Sequence, residues 1–147
     1  MSILKVSNFM TQKVLTAHPN DGIRHTFFRM REDEVRHFPV LDDDNKLVGI
    51  ISDRDLRRPD WVDEAPYLSH IYNLDNDLNV KDLMSSNLIV AQTFESLHKV
   101  TKFLIEHRYG ALPVLNKEDE LVGILSATDL LQALEMLIAD QKQKKKA

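Results

Sequence analysis

The sequence contains no cysteine, only four glycines and few aromatic residues, which make up 7% of its 147 residues. The absence of cysteine excludes disulfide bonds, thiolate catalysis and cysteine-ligated zinc sites. The four glycines form neither a P-loop nor a dinucleotide-binding pattern. With so few aromatic side chains, aliphatic residues must form the hydrophobic core.

A long apolar run and a basic face are also missing. No run approaches the ~20 residues that span a membrane, and the first residues lack the apolar core of a secretory signal. The chain has 19 basic and 23 acidic side chains, a net charge of −4. Because four lysines lie in the last six residues, residues 1–141 hold 15 basic and 23 acidic side chains, a net charge of −8. We therefore expect a cytoplasmic protein with no nucleic-acid or membrane partner.

An internal repeat organises the sequence. Residues 6–58 align without a gap with residues 80–132, at a constant offset of 74 residues. The alignment gives 14 identities in 53 positions, whereas unrelated sequences would give about 3 at ~6% chance identity per position. Ten of the fourteen identities fall between positions 39 and 56. Such clustering indicates a duplicated unit with a duplicated site.

Each repeat predicts the same order of elements, β-α-β-β-α, and therefore an α+β fold. After an opening segment and an extended stretch, apolar residues at helical spacing predict a helix. Two apolar runs around a polar turn predict a hairpin, and a second helix begins at Ser52 or Ser126. Because ~53 residues bury little core alone, we expect the two copies to pack together. The predicted elements of the two copies are the opening segments Val6–Met10 and Val80–Met84, the extended stretches Val14–Ala17 and Leu88–Ala91, the first-helix core residues Ile23, Phe27, Met30 and Leu97, Val100, Leu104, and the hairpins Phe38–Leu41 with Val48–Ile51 and Leu112–Leu115 with Val122–Leu125.

The predicted domain boundaries follow the repeats. Residues 1–58 form repeat 1, 59–79 a connecting arm, 80–138 repeat 2 with a C-terminal helix, and 139–147 a basic tail that we expect to be disordered. Prolines, Asp and Asn in the arm disfavour a long regular element, but its apolar residues can pack on the domain. These are Trp61, Tyr67, Leu68, Ile71 and Tyr72.

Apolar residues also recur at helical spacing past Asp129. This stripe either covers the core or forms a dimer contact. Its members are Leu130, Leu131, Leu134, Leu137 and Ile138.

Each copy resembles a CBS domain, the module first described in cystathionine β-synthase. The match consists of an apolar-Pro-Val strand, a polar turn, and a Gly-h-h-Ser-x-x-Asp-h motif, where h is apolar. The resemblance covers about 105 of the 147 residues, and the chain is also similar to stand-alone bacterial two-CBS proteins of the acetoin-utilisation type. The motifs are Phe38-Pro39-Val40 with Gly49 to Leu56, and Leu112-Pro113-Val114 with Gly123 to Leu130.

The resemblance implies a function as well as a fold. In the family the two motifs pair about a pseudo-twofold axis, and the cleft between them holds adenosine-containing ligands. It therefore implies a non-catalytic regulatory homodimer that binds AMP, ADP or ATP, with S-adenosylmethionine or NAD as other ligands, and acts on a partner protein. The alternative is a structural or dimerisation protein whose clefts are empty or degenerate.

The resemblance also implies two sites, each assembled crosswise from both copies. Because Arg36 and His37 would bind phosphate in the first site, while the second has only Arg54 nearby, we expect phosphate-rich ligands to prefer the first. The first site comprises Asp129, Ser126 and Thr128 facing Thr16, Ala17, Arg36, His37 and Phe38. The second comprises Asp55, Ser52 and Arg54 facing Val90, Ala91, Tyr109, Gly110 and Ala111.

The Ser-x-x-Asp motif has two interpretations. A serine where a strand becomes a helix lies beside free backbone N–H groups that favour phosphate. An Asp three residues later can accept hydrogen bonds from both ribose hydroxyls, and the preceding glycine permits a close backbone approach. The same spacing is nearly a capping box, in which serine and Asp only close the helix N-terminus. Both interpretations can hold together.

Other patterns indicate no catalytic or metal site. The six histidines are scattered, without the spacing of a helical metal pair. Residues 42–45 (Asp-Asp-Asp-Asn) lack the glycine and terminal glutamate of an EF-hand loop, so a solvated hairpin turn explains them better. The serines near histidines lack a nucleophile elbow. We therefore expect no enzyme activity, catalytic cofactor or metal.

Overall fold

The structure is a computed structural model that describes residues 4–57 and 78–146. The connecting arm, apart from its last two residues, lies outside the described residues, as do Trp61, Tyr67, Leu68, Ile71 and Tyr72. The elements are a 3₁₀ turn (Val6–Asn8), α1 (Ile23–Glu32), β1 (His37–Leu41), β2 (Leu47–Ser52), α2 (Asp53–Leu56), α3 (Val80–Leu83), β3 (Ala91–Gln92), α4 (Leu97–His107), β4 (Ala111–Leu115), β5 (Leu121–Ser126) and α5 (Ala127–Lys146).

This order confirms the α+β class and the two repeats. In the second copy β3 pairs in parallel with β4. In the first copy the equivalent stretch makes a single parallel bridge, from Ala17 to Val40. The second helix differs more between copies, because α2 has 4 residues whereas α5 has 20.

The two predicted hairpins form with the same register. His37 lies opposite Ser52 in the β1–β2 pair, and Ala111 lies opposite Ser126 in the β4–β5 pair. In the first turn the Asp42 carboxylate accepts hydrogen bonds from the backbone N–H groups of Asp44 and Lys46. Asn116 makes the equivalent bonds in the second turn. These polar residues therefore build the turns, as side chains of Asp and Asn commonly do.

Helices α1 and α4 bury the apolar residues that the spacing predicts. Burial removes this face from water and is the main stabilisation of an amphipathic helix. The buried residues include Ile23, Phe27 and Met30 of α1, and Leu97, Val100 and Leu104 of α4.

The chain divides into two compact units, Leu15–Leu88 and Met1–Val14 with Ile89–Ala147. We name them the Asp55 unit and the Asp129 unit after the motif aspartate in each. Each unit therefore combines the opening segment of one repeat with the hairpin and helices of the other.

Two valines show this exchange of opening segments. Val80, from repeat 2, is fully buried in the Asp55 core, whereas its counterpart Val6, from repeat 1, is fully buried in the Asp129 core. Backbone pairing follows the same pattern, with bridges from Ser85 to Ile50 and from Thr11 to Ile124.

Helix α5 leaves most of the C-terminal apolar stripe exposed. Leu131 is 65% exposed and Leu134 51% exposed, while Ala133 on the opposite side of the helix is buried. The prediction that the stripe simply covers the core is therefore wrong for these residues.

Helix α5 also continues through the basic tail, contrary to the expected disorder. No proline or glycine stops it, and lysines near a helix C-terminus are favourable. Among the described residues, no helix is both long and apolar enough to cross a membrane.

Candidate functional site

Both Ser-x-x-Asp motifs form the strand-to-helix turn, and both are capping boxes. The backbone N–H of Ser52 donates to Asp55 Oδ2 at 2.9 Å, and the Asp55 N–H donates to Ser52 Oγ at 3.1 Å. In the other copy the Ser126 N–H donates to Asp129 Oδ2 at 2.8 Å, and the Asp129 N–H donates to Ser126 Oγ at 3.3 Å. The capping interpretation is therefore confirmed in both copies, and it uses only one carboxylate oxygen of each aspartate.

The second carboxylate oxygen distinguishes the two turns. Thr11 Oγ1 donates a hydrogen bond of 2.8 Å to Asp129 Oδ1, within the Asp129 unit. Among the described residues, Asp55 Oδ1 has no such partner. Asp129 is also 7% exposed, whereas Asp55 is less buried. The two aspartates therefore occupy equivalent positions with different hydrogen-bonding capacity.

In the Asp55 unit, the turn lies beside the start of β1. The Asp53 N–H donates to the Arg36 carbonyl oxygen at 2.9 Å, and His37 pairs with Ser52 across the hairpin. Arg36 is exposed and His37 is half-buried. This rim thus places two potentially cationic side chains next to the capping turn.

The electrostatic setting of His37 favours its neutral form. Burial lowers the pKa of His37 below its ordinary value of 6.5. The negative charges of Asp53 and Asp55 act in the opposite direction, and the Arg36 guanidinium adds to the lowering. Arg36 therefore brings a fixed positive charge to this rim, while His37 is a neutral hydrogen-bonding group near pH 7.

Arg29 on α1 joins this rim, although sequence reasoning did not select it. Its Nη2 donates to the Thr16 carbonyl oxygen at 2.9 Å, and its guanidinium lies 4.6 Å from the centre of the Phe38 ring. Such a cation–π contact fixes the ring and the cation together. The available signal was a basic residue in the last turn of an amphipathic helix, which is common on solvated faces.

The equivalent rim of the Asp129 unit is aromatic. The Ala127 N–H donates to the Gly110 carbonyl oxygen at 2.9 Å, as Asp53 does to Arg36 in the other copy. Phe103 replaces Arg29 at the matching position, and its ring stacks on Tyr109 with the ring centres 5.9 Å apart. His107 lies 4.2 Å from Phe103, measured between ring centres. This rim therefore offers stacked ring surface where the other offers cations.

The structure gathers the predicted site residues by unit. In each unit the residues lie where the short extended stretch, the hairpin strand with its Pro-Val motif, and the capping turn meet. Predicted partners on opposite sides of either crosswise site belong to different units, so the crosswise assembly stays a prediction. The Asp55 unit holds Thr16, Ala17, Arg36, His37, Phe38, Ser52, Arg54 and Asp55, and the Asp129 unit holds Val90, Ala91, Tyr109, Gly110, Ala111, Ser126, Thr128 and Asp129.

The chain belongs to the CBS-domain family. The CBS domain model matches residues 6–59 and 80–136, which correspond to the two repeats. This assignment confirms the resemblance drawn from the two Gly-h-h-Ser-x-x-Asp-h motifs.

The chain is similar to other proteins along most of its length. A CBS domain-containing protein of Dictyostelium discoideum is 27% identical over 135 residues, covering 88% of this chain and 90% of that protein. The CBS-pair protein CBSX2 of Arabidopsis thaliana has 27% identity and a TM-score of 0.78, with 92% and 96% of the two chains covered. A structure of CBSX2 in complex with AMP has 28% identity and a TM-score of 0.73, with 90% and 97% covered.

The structural match extends to the acetoin-utilisation type. The Vibrio cholerae protein AcuB, named for acetoin utilization, is 26% identical with a TM-score of 0.74, and 95% and 96% of the two chains are covered.

Other relatives are much longer than this chain. The chain spans 24% of the homoserine O-acetyltransferase of Methanosphaera stadtmanae, which it matches with 26% identity over 88% of its own residues.

Proposed function

We propose that this protein is a non-catalytic regulatory module that binds adenosine-containing ligands of the AMP, ADP and ATP class. The main support for this function is the pair of equivalent Ser-x-x-Asp turns. Each turn holds a carboxylate beside the start of an apolar-Pro-Val strand. S-adenosylmethionine and NAD share the adenosine group and are further candidates. CBSX2, which is similar along nearly its whole length, is solved with AMP, and this supports the ligand class.

Different residues of the two motifs can bind different parts of an adenosine-containing ligand. A carboxylate such as Asp55 can accept charge-assisted hydrogen bonds from ribose hydroxyls. The positive end of the dipole of the 20-residue helix α5 favours a phosphate group. Arg36 supplies a planar cation for phosphate, and Tyr109, 38% exposed in its aromatic stack, supplies ring surface for a base.

We further propose the crosswise pairing implied by the resemblance. Asp129 with Ser126 and Thr128 would then share a ligand with the segment around Arg36 and His37, and phosphate-rich ligands would prefer that site. Asp55 with Ser52 and Arg54 would share a ligand with the segment around Tyr109. The basic rim and the aromatic rim described above support this difference between the two sites.

A regulatory role follows from this chemistry if a ligand stabilises one arrangement of the chain over another. A partner protein would then respond to the arrangement that the nucleotide favours. The long enzyme relatives match this chain over only 24% of their own length, which supports a role separate from catalysis.

A thermal-unfolding panel tests the ligand class. AMP, ADP, ATP, S-adenosylmethionine and NAD are each added to the full chain, with GMP and ribose 5-phosphate as controls for the base. A ligand present at 100 times its Kd adds about 2.7 kcal/mol to the free energy of unfolding, which raises Tm by several degrees. We expect this shift with at least one adenine nucleotide and none with GMP. No shift with any adenosine compound would contradict the proposal.

The second candidate is a structural protein whose activity is self-association, and the exposed face of α5 favours it. Leu131, Leu134 and Ile138 lie on one face of this helix and are each at least 45% exposed. Glu135 and Lys142 occupy the same face at helical spacing. In an antiparallel pair of two copies centred between residues 138 and 139, Glu135 lies opposite the partner's Lys142 and Ile138 lies opposite the partner's Ala139. The centre of the pair is therefore complementary in charge and in apolar surface. We therefore propose a homodimer through α5, which is compatible with nucleotide binding or sufficient without it.

A further inference from the structure

The hydrogen bond between Thr11 and Asp129 occupies the group to which the proposed function assigns ribose binding. Thr11 precedes Asp129 by 118 residues and reaches it because the backbone at Thr11 bridges to Ile124 of β5. The two N–H···O bonds of this bridge, at 2.8 and 3.0 Å, hold Thr11 in place. Its side chain is exposed, so water can replace Asp129 as the partner of its hydroxyl.

The remaining acceptor capacity of Asp129 is small. An ionised carboxylate offers about four lone-pair positions. At Asp129 Oδ2, the backbone N–H and the hydroxyl of Ser126 both donate, and at Oδ1 Thr11 donates. About one position is left for a ligand. The two hydroxyls of a ribose need two positions.

Asp55 provides the internal comparison. In the described part of the chain, its carboxylate accepts one hydrogen bond, from the Ser52 N–H, so about three positions are left. The residue equivalent to Thr11 is Ser85, which makes the same backbone bridge, to Ile50. No bond from Ser85 to Asp55 is found among the described residues. Since the capping box holds Asp55 in place without such a bond, Thr11 is not needed to position Asp129.

We propose that Thr11 is a specificity-determining residue, whose hydroxyl competes with a ribose hydroxyl for Asp129. With Thr11 in place, the Asp129 turn accepts one ribose hydroxyl and discriminates poorly between ribose and deoxyribose. Full engagement of the ribose requires the Thr11 hydroxyl to leave Oδ1. Because Thr11 directly follows the opening segment Val6–Met10, ligand binding at Asp129 thereby weakens a contact between the end of this segment and the rest of its unit. This inference rests on the proposed function.

The test compares AMP with 2′-deoxy-AMP by isothermal titration calorimetry. The Asp55→Asn background removes the carboxylate of the other turn and so isolates the Asp129 turn. Asparagine retains a side-chain oxygen that can accept the Ser52 N–H, so the helix cap is kept. Thr11→Val removes the hydroxyl at nearly constant shape, and Thr11→Ser keeps the donor. In the Asp129→Asn background, Ser85→Ala is the matched control for the other turn.

The ratio of the two affinities is the readout. We expect Thr11→Val to bind AMP about three- to tenfold more tightly, with little change in its affinity for 2′-deoxy-AMP. Thr11→Ser and Ser85→Ala should leave the ratio of the two affinities as it is in their own backgrounds. An unchanged ratio in Thr11→Val, in a protein that binds AMP, would overturn the inference and leave the proposed function intact. If the unmodified chain binds none of the adenosine compounds of the thermal-unfolding panel, the proposed function itself fails.

Discussion

Gly49 lies directly against the backbone of Ser85. A Cβ atom on Gly49 would lie 2.8 Å from the Ser85 carbonyl oxygen and 2.7 Å from Sδ of Met84. In the other unit, a Cβ on Gly123 would lie 3.0 Å from the Thr11 carbonyl oxygen. The motif glycines therefore permit a close backbone approach, but the group that approaches is the residue that directly follows an opening segment. This contact is one reason why each hairpin requires glycine at this position.

Replacing Gly49 with alanine should destabilise the fold. The added methyl group meets a hydrogen-bonded backbone, so the Ile50–Ser85 bridge must shift, and overpacking of this kind costs about 1–3 kcal/mol. Chemical denaturation measures the change in the free energy of unfolding. Gly22→Ala is the control without a steric clash, because no atom lies within 4 Å of a Cβ there. Its expected cost is only the N-cap preference for glycine over alanine, below about 1 kcal/mol. Equal stability of the two variants would contradict the packing account.

His37 should make the stability depend on pH. Burial lowers its pKa in the folded chain, so below pH 6.5 the unfolded chain takes up a proton that the folded chain does not. The free energy of unfolding should therefore fall as the pH is lowered from about 7.5 through 6.5 toward the folded-state pKa. We expect a smaller fall in His37→Gln, measured by urea denaturation at several pH values. His98→Gln on α4 is the histidine control. If His37→Gln leaves the pH dependence of the free energy of unfolding unchanged, His37 is not its source.

Charge reversal on α5 tests the homodimer. In the antiparallel pair, Glu135→Lys places two like charges opposite each other and should weaken association by about tenfold. Glu135→Lys combined with Lys142→Glu restores opposite charges and should restore the dimer. Sedimentation equilibrium measures the Kd for each chain. This interface is ruled out if the unmodified chain is a monomer at all concentrations. It is also ruled out if the Kd of the dimer is the same in both variants as in the unmodified chain.

The sequence predicts the local structure well because its signals are local. The spacing of Ile23, Phe27 and Met30 predicts the buried face of α1, and the polar turns predict both hairpins. The helix that begins after Ser126 is likewise predicted by its capping serine and Asp129. Each of these features depends on residues within a few positions of one another.

The exchange of opening segments could not be predicted in this way. Val6 and Val80 are equivalent in the repeat, and either valine fits either core, so no local pattern states which core buries which. The bond from Thr11 to Asp129 depends on that exchange and was missed with it. Arg29 was missed because its contact with Phe38 requires the turn of the chain between α1 and β1.

The central claim is that the two Ser-x-x-Asp turns bind adenine nucleotides, and calorimetric titration of AMP and ATP tests it most directly. The unmodified chain, Asp55→Asn, Asp129→Asn and the double variant are compared, because asparagine preserves helix capping but loses the carboxylate charge. We predict that each single variant loses binding at one turn and that the double variant binds at least about tenfold more weakly. Absence of binding to the unmodified chain, or unaltered binding to the double variant, would contradict the claim.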